Sequence, residues 1–392
     1  MLMGIEALPS SRRSVLRQGL RQGLGAALGL GAALRALAQP AAPGAAPALP
    51  ADMGLADAAD SLLAAWDDAA GRHWAGWLRR LPGAGWQVQT ATELPTRAHG
   101  LRVEPGGSVL ITARRPGEWL LRWWPEQPKR LLWHWALPDR RFMGHTLAPP
   151  GEARFFFSVE TDQANGQGLL VRRDAASLAV QAEWPTQGID PHQALWEPGG
   201  SVLLANGGVP TLPETGRTRR GMERMASSLV RLDATTGALR QQWRLEDARL
   251  SLRHLACHAS GVVGIALQAE HDDAAQRAAA PVLALLVGEQ LSLASQPREL
   301  AGYGGDIAAT ASGFVLSTPR AGGLTQWSAT GQWQGFVALE EACPLAAEGA
   351  HWWAGGRQQL LSANAPSSTA ATNLPPLRLD NHWTRWGVSL PS

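Results

Sequence analysis

The apolar positions of this chain fall into short runs separated by turn residues, and the pattern recurs. Five stretches share one design: HGLRVEPGGSVLITARRPG from His99, HTLAPPGEARFFFSVETD from His145, HQALWEPGGSVLLANGG from His192, HLACHASGVVGIALQAE from His254 and DIAATASGFVLSTPRAGG from Asp306. In each, a polar residue able to bind a ligand precedes a Gly-centred turn, at Gly106, Gly151, Gly199, Gly261 and Gly313, by six or seven positions. Successive starts lie roughly 45 to 60 residues apart. That spacing predicts a β-propeller in which each unit forms one four-stranded blade.

Within a unit the pattern predicts a short apolar strand, a Pro-Gly-Gly or Ser-Gly turn, and a β-rich second strand such as residues 201–205. Two more strands follow. In the first full unit these are residues 119–123 and 131–135; in the third they are residues 228–232 and a strand around Trp243, joined by the turn Asp233-Ala234-Thr235-Thr236-Gly237. Two weaker units complete the series. Cys343 lies six positions before Gly349 and is followed by AHWWAGG, and Asn381-His382-Trp383 begins a last strand with no blade after it. A closed ring leaves no free sheet edge. The last strand is therefore expected to pair with the N-terminal segment around residues 73–77 and 86–92. The expectation is an all-β, seven-bladed propeller over residues 55–392, with six blades as the alternative because residues 321–359 are poorly periodic.

This arrangement has a chemical consequence. If the first strand of each blade is innermost, its opening residue faces the mouth of the central channel; these residues are His99, His145, His192, His254, Asp306, Cys343 and His382. The ends of the second strands, with Arg114, Glu160, Asn206, Gln268 and Arg320, surround the same mouth. Neutral imidazole is the commonest metal ligand and suits iron, copper and zinc. His145, His192 and His254, from consecutive blades, form the principal metal set, with Arg253 and Asn206 as supporting or anion-holding groups. His99, His382 and Cys343 are secondary ligands. Arg114, Glu160, Asn206, Arg253, Gln268, Asp306 and Arg320 are the expected ligand-binding groups. The alternative is structural: histidines that bond neighbouring strands and fill the channel with ordered water.

Other features carry less. An insertion at residues 209–227 contains Met222 and Met225 beside Arg217, Arg219, Arg220 and Arg224, and thioethers can bind copper(I), although packing of a lid loop also accounts for them. The acidic loop Glu270-His271-Asp272-Asp273 reads as a solvated charge run. There is no Gly-x-Ser-x-Gly elbow and no Gly-rich phosphate loop. Hydrolysis would need a metal-activated water or a His/Glu base, for which His192 and Glu160 are the candidates. The sequence favours a binding protein over an enzyme.

Composition narrows the class. The formal charge is +2, but five arginines and one glutamate lie up to Ala38, which leaves 30 basic against 32 acidic residues in the remainder. A nucleic-acid partner usually requires a concentrated basic surface, which such a balance argues against. The 18 tryptophans against one tyrosine read as packing residues. Ser11-Arg12-Arg13-Ser14-Val15-Leu16-Arg17, then GLGAALGLGAAL and Ala36-Leu37-Ala38, fit a twin-arginine export signal over residues 1–38, followed by a linker over residues 39–54. The apolar run is too short for a permanent membrane anchor. Export predicts a periplasmic protein, and by this route one folded before translocation. Cys257 and Cys343 are expected to be unpaired and largely buried, because they fall in the inner strands of different blades.

Taken together, Gly144-His145, Gly188-Ile189-Asp190-Pro191-His192, Ala205-Asn206-Gly207-Gly208, Gly216-Arg217 with Met225 and Ser228-Leu229, Ser251-Leu252-Arg253-His254-Leu255, Pro319-Arg320 and Asp380-Asn381-His382 resemble an exported bacterial family grouped as domain of unknown function 1513. The likeness covers about residue 95 to the C-terminus and implies a seven-bladed propeller of unassigned biochemistry. Members are often encoded beside imelysin-like iron-uptake proteins and di-haem cytochrome-like proteins, which implies periplasmic iron or redox-metal handling with such proteins as partners. The chain departs from the family pattern at Thr211-Leu212-Pro213, where Thr-His-Pro is expected, and at Thr146 and Asp190, where glycines are expected. Pro-His before a Gly turn also resembles, more distantly, the lactonase-type propellers. The alternatives to metal or anion binding are thus a non-catalytic scaffold for another periplasmic protein and a lactonase-like hydrolase.

Overall fold

The computed structural model describes residues 61–387, apart from 82, 83, 153, 212–217, 220, 358, 364–368 and 374–376. The export signal and linker read from the sequence lie outside the described residues. Seven four-stranded antiparallel sheets make up this part of the chain. Their innermost strands are Ala98–Val103, Arg140–Leu147, Pro191–Glu197, Leu250–Cys257, Ile307–Thr310, Leu345–Glu348 and Arg378–Arg385. Each inner strand packs against the next, around to the first, so they surround one axis. The architecture is a seven-bladed propeller.

Second strands are pressed between neighbouring blades, which is why they read as continuous apolar runs. Val109–Ala113 and Ser201–Asn206 are buried at every position. The cores lie between blades: Leu203 and Leu229 of one sheet pack with Leu252, Ile265 and Leu267 of the next, and Ala256, Ala266 and Leu283 pack with Phe314, Leu316 and Trp327. Each fully buried Leu contributes about 2 kcal/mol relative to exposure. The tryptophans serve this packing; Trp119, Trp123, Trp327 and Trp353 are almost wholly buried.

The pattern located most strands closely. Trp119–Trp123 and Leu131–Trp135 have the expected bounds, and Ser228–Asp233 is followed by Leu239–Trp243. The poorly periodic region around residue 340 contributes strands to two full blades, so the ring has seven blades rather than six. Closure differs in one respect from the expectation. Arg378–Arg385 pairs directly with Ser61–Asp67, a mostly apolar strand that the repeat did not reveal; His73–Leu81 and Gly85–Leu94 follow outward. The register is Leu62↔Arg385 and Ala64↔Trp383 at one end and Asp67↔Arg378 at the other.

Both cysteines are free, but Cys257 is exposed, contrary to the expectation. It ends its strand at the face opposite the strand's start, where the chain turns back through His258 and Gly261. Cys343 is partly buried, and its thiol is pushed up to about 12, chiefly by burial and then by Asp306 and Asp380.

Candidate functional site

Five inner strands carry an irregularity, and each falls at a histidine. Pairing with the second strand jumps between Ala98 and Leu101, between Phe142 and Thr146, between Pro191 and Ala194, and between Leu252 and Leu255. The closing strand jumps between Leu379 and Trp383. His99, His145, His192, His254 and His382 lie within these bulges. The inner strands Ile307–Thr310 and Leu345–Glu348 contain no histidine and keep regular register. A bulge adds residues to one strand and re-aims side chains that strict alternation would send into the sheet. Here it turns five imidazoles onto the axis.

Glycines make room for them. Gly144, at φ +103°, packs under the ring of His99; a Cβ there would lie 2.4 Å from His99 Cδ2. Gly144→Ala is therefore expected to destabilise the fold by about 2–3 kcal/mol, through overpacking and a backbone conformation that L-residues avoid. Equilibrium denaturation by tryptophan fluorescence measures this. An unchanged midpoint would show that the ring can give way.

The five histidines are 8% exposed or less. Ring centroids lie 4.5 Å apart for His99–His382, His192–His254 and His254–His382, and 4.7 Å for His99–His145. His99 and His254 are 5.8 Å apart. The Nε2 atoms of His192 and His254 are separated by 2.8 Å, and those of His99 and His382 by 3.3 Å. Metal–imidazole bonds of about 2.0–2.1 Å put adjacent ligand nitrogens about 2.9 Å apart at right angles and about 3.4 Å apart at a tetrahedral angle. The observed separations match edges of such a polyhedron. One ligand atom each from His99, His145, His192 and His254 fall within 4.8 Å of one another, as do those of His254, Asp306 and His382. His254 belongs to both sets.

Asp306 defines the back of the site. Its Oδ2 lies 3.0 Å from His382 Nδ1 and accepts from Leu345 N–H, while Oδ1 accepts from Ile307 N–H. A carboxylate on Nδ1 leaves the Nε2 lone pair facing the axis, the orientation a metal-binding histidine needs. By contrast, His99 Nδ1, His145 Nε2 and His192 Nδ1 are buried with no hydrogen-bond partner among the described residues. Burial is the main reason that His99, His145, His192 and His254 are held well below the ordinary histidine value; neighbouring imidazoles and Arg114, Arg115 and Arg253 lower them further. These four imidazoles are therefore neutral nitrogen donors.

The remaining predicted residues divide by what already holds them. Arg253, 1% exposed, forms an ion pair with Asp190 at 2.7 Å, and Asp190 is also paired with Arg115. Arg114 acts electrostatically on His99 and Cys343. Asn206 is spent on Thr186 and Ser228, Gln268 donates to Gly304 O, and Arg320 stacks over Tyr303. Glu160 is locked to Arg173 at 2.7 Å and to Ser158, inside its own blade. Cys343 Sγ donates to Asn381 Oδ1 at 3.4 Å and does not join the histidines. The structure thus adds His99 to the consecutive three, while His382 joins His254 and Asp306 in the adjoining group. Sequence reasoning missed Asp190 and Arg115 as a charged layer beside the ring. The signal was a carboxylate, Asp190, directly before Pro191-His192 where a glycine is expected; the structure holds it at a left-handed φ of +53°.

The other two features resolve into structure. Met225 is buried, following a short 3-10 helix at Met222–Arg224. The acidic loop is paired rather than merely solvated: Glu270 with Arg219, His271 with Asp247, Asp272 with Arg249, and Asp273 capping the helix Ala274–Ala279.

Comparison with known proteins gives three findings. Residues 92–386 match a family described as "Protein of unknown function (DUF1513)". No curated protein matches the chain. Among solved structures, the chain is similar to a catalytically inactive variant of virginiamycin B lyase from Staphylococcus aureus with quinupristin, at 9% identity and TM-score 0.50, over 80% of this chain and 96% of that one. A nidogen/laminin complex is similar at 11% identity and TM-score 0.42, over 83% of this chain and 97% of that one. At 9% identity the likeness to the lyase bears on the fold alone.

Proposed function

The chain belongs to the DUF1513 family, and from its histidine ring we propose that it binds a transition-metal ion at the propeller axis and handles that metal in the periplasm. The supporting observation is the placement of five imidazoles in five separate bulges, with Nε2 separations of 2.8 and 3.3 Å. A purely structural histidine has no need of a bulge, nor of leaving a ring nitrogen buried without a partner. Neutral nitrogen donors favour copper(II) and then zinc by affinity, and iron(II) binds the same donors more weakly. Supply would then decide which of these the protein carries. The twin-arginine signal supports the location, and the family resemblance supports iron-uptake or redox proteins as partners.

Asp306 acts in this account by orienting His382. Asp306→Asn keeps the size and removes the charge, so metal affinity is expected to fall by about 10- to 100-fold, while stability falls by about 1–3 kcal/mol because the amide NH2 would face one of the backbone N–H groups the carboxylate now accepts from. Competition titration against a chromophoric chelator reads this directly. Equal affinity in both proteins would remove Asp306 from the site.

A scaffold role has one observation in its favour. The outermost strand Leu131–Trp135 and the turn after it expose Leu131, Trp135 and Leu137, the last two by more than half. Hydrolysis through His192 and Glu160 has no comparable support, since Glu160 is engaged by Arg173 and Ser158.

A further inference from the structure

Beside the ring, between the blades that carry His145 and His192, lies a cleft of about 280 Å³. Its lining includes Arg115, Arg224, Gln163, Asn165, Thr211 and Asp190. The residues that frame it adjoin the ring in sequence: Met143 precedes Gly144-His145, and Ile189-Asp190 precede Pro191-His192. The inserted segment forms one wall through Val209, Pro210, Thr211 and Arg224.

We infer that this cleft binds a small organic anion bearing carboxylates, next to the metal ring. The local charge favours an anion. Arg115 and Arg253 both pair with the carboxylate of Asp190, and Arg253 and Asp190 are buried. Arg224 adds a cation at the rim, and the carboxylate beside it, Glu223, is exposed and 3.8 Å away. Buried positive charge is costly unless anions neutralise it. The lining supplies the donors that a carboxylate uses: planar guanidinium forks, which match carboxylates in paired hydrogen bonds, and side-chain amides. Asn165 Oδ1 already accepts from Gln167 N–H, which leaves the amide nitrogen of Asn165 as its remaining group. The volume suits a ligand the size of a di- or tricarboxylate. Arg115 also bears electrostatically on both His145 and His192. An anion seated here would offset the charge that a metal adds to the ring, and a carboxylate chelate could bring that metal with it.

This site stands on its own lining and is tested without metal. Calorimetric titration of citrate into chelator-stripped protein at low ionic strength is expected to show saturable binding to one site. Inorganic phosphate is expected to bind more weakly, because it lacks the spaced carboxylates. Arg224→Gln, an exposed position that folding does not depend on, is expected to weaken citrate by about tenfold or more, the worth of one charged hydrogen bond. Arg115→Gln is expected to weaken it further. No citrate binding, tighter binding of phosphate than citrate, or an Arg224→Gln protein identical to wild type would each overturn the inference. Because metal is absent throughout, a failed metal titration would leave this result intact, and the reverse also holds.

Discussion

Replacing His254 by alanine is expected to weaken metal binding by about 100-fold or more, the largest effect of any single ring substitution. His254 is the one residue shared by the two groups of convergent ligand atoms, and its Nε2 lies 2.8 Å from that of His192. Removing it deletes a donor from both sets, whichever the ion occupies. The fold should survive, because the ring sits on the axis while the apolar cores lie between blades. His73 serves as the control. It is bonded to Asp67 at 2.7 Å and belongs to neither group of convergent ligand atoms, so His73→Ala should leave metal affinity unchanged. Metal retained by His254→Ala at wild-type affinity would move the site away from the axis.

The second large effect is on stability in acid, with metal removed. His99, His145, His192 and His254 are held well below 6.5 in the folded protein, first by burial and then by neighbouring imidazoles, His382 among them, and arginines. In the unfolded chain they titrate near 6.5. Below that value the unfolded state takes up protons that the folded state refuses, so stability falls as pH falls. Above it both states are neutral and these groups contribute no slope. Each histidine adds about 1.4 kcal/mol per pH unit at the limit, so four together give about 5 kcal/mol per unit. Most carboxylates titrate lower, so denaturant midpoints between about pH 6.5 and 5.5 isolate the histidines. A bound ion should flatten the curve, because ligands must be deprotonated to hold it. Stability that stays level across that interval would mean the imidazoles are not buried together.

The blades were legible because a second strand pressed between neighbours is buried at every position and so mostly apolar, and Gly turns separate it from the first. The closing strand at Ser61–Asp67 was not, since it belongs to a blade split between the two ends of the chain and so lacks a unit of its own. The histidines were legible by their phase. Their relative importance was not, because phase along the chain says nothing of the bulges that bring His99 and His382 as close as the consecutive three. Cys343 shows the converse. It has the right phase, but its inner strand begins at Leu345 in regular register, and the thiol turns to Asn381. Asn206 and Glu160 sit at the expected strand ends, yet their polar atoms are consumed by partners that sequence does not display. Position could be read from the repeat, and occupancy of hydrogen bonds could not.

The account rests on an ion at the axis. The most direct measurement is to strip wild-type protein with chelator, titrate it separately with copper(II), zinc and iron(II), and record X-ray absorption of the loaded protein. The expected result is one ion per chain for the tightest metal, with a shell of imidazole nitrogens at about 2.0–2.1 Å. Protein that retains none of the three after desalting, or that holds metal through oxygen or sulfur ligands instead, would contradict it.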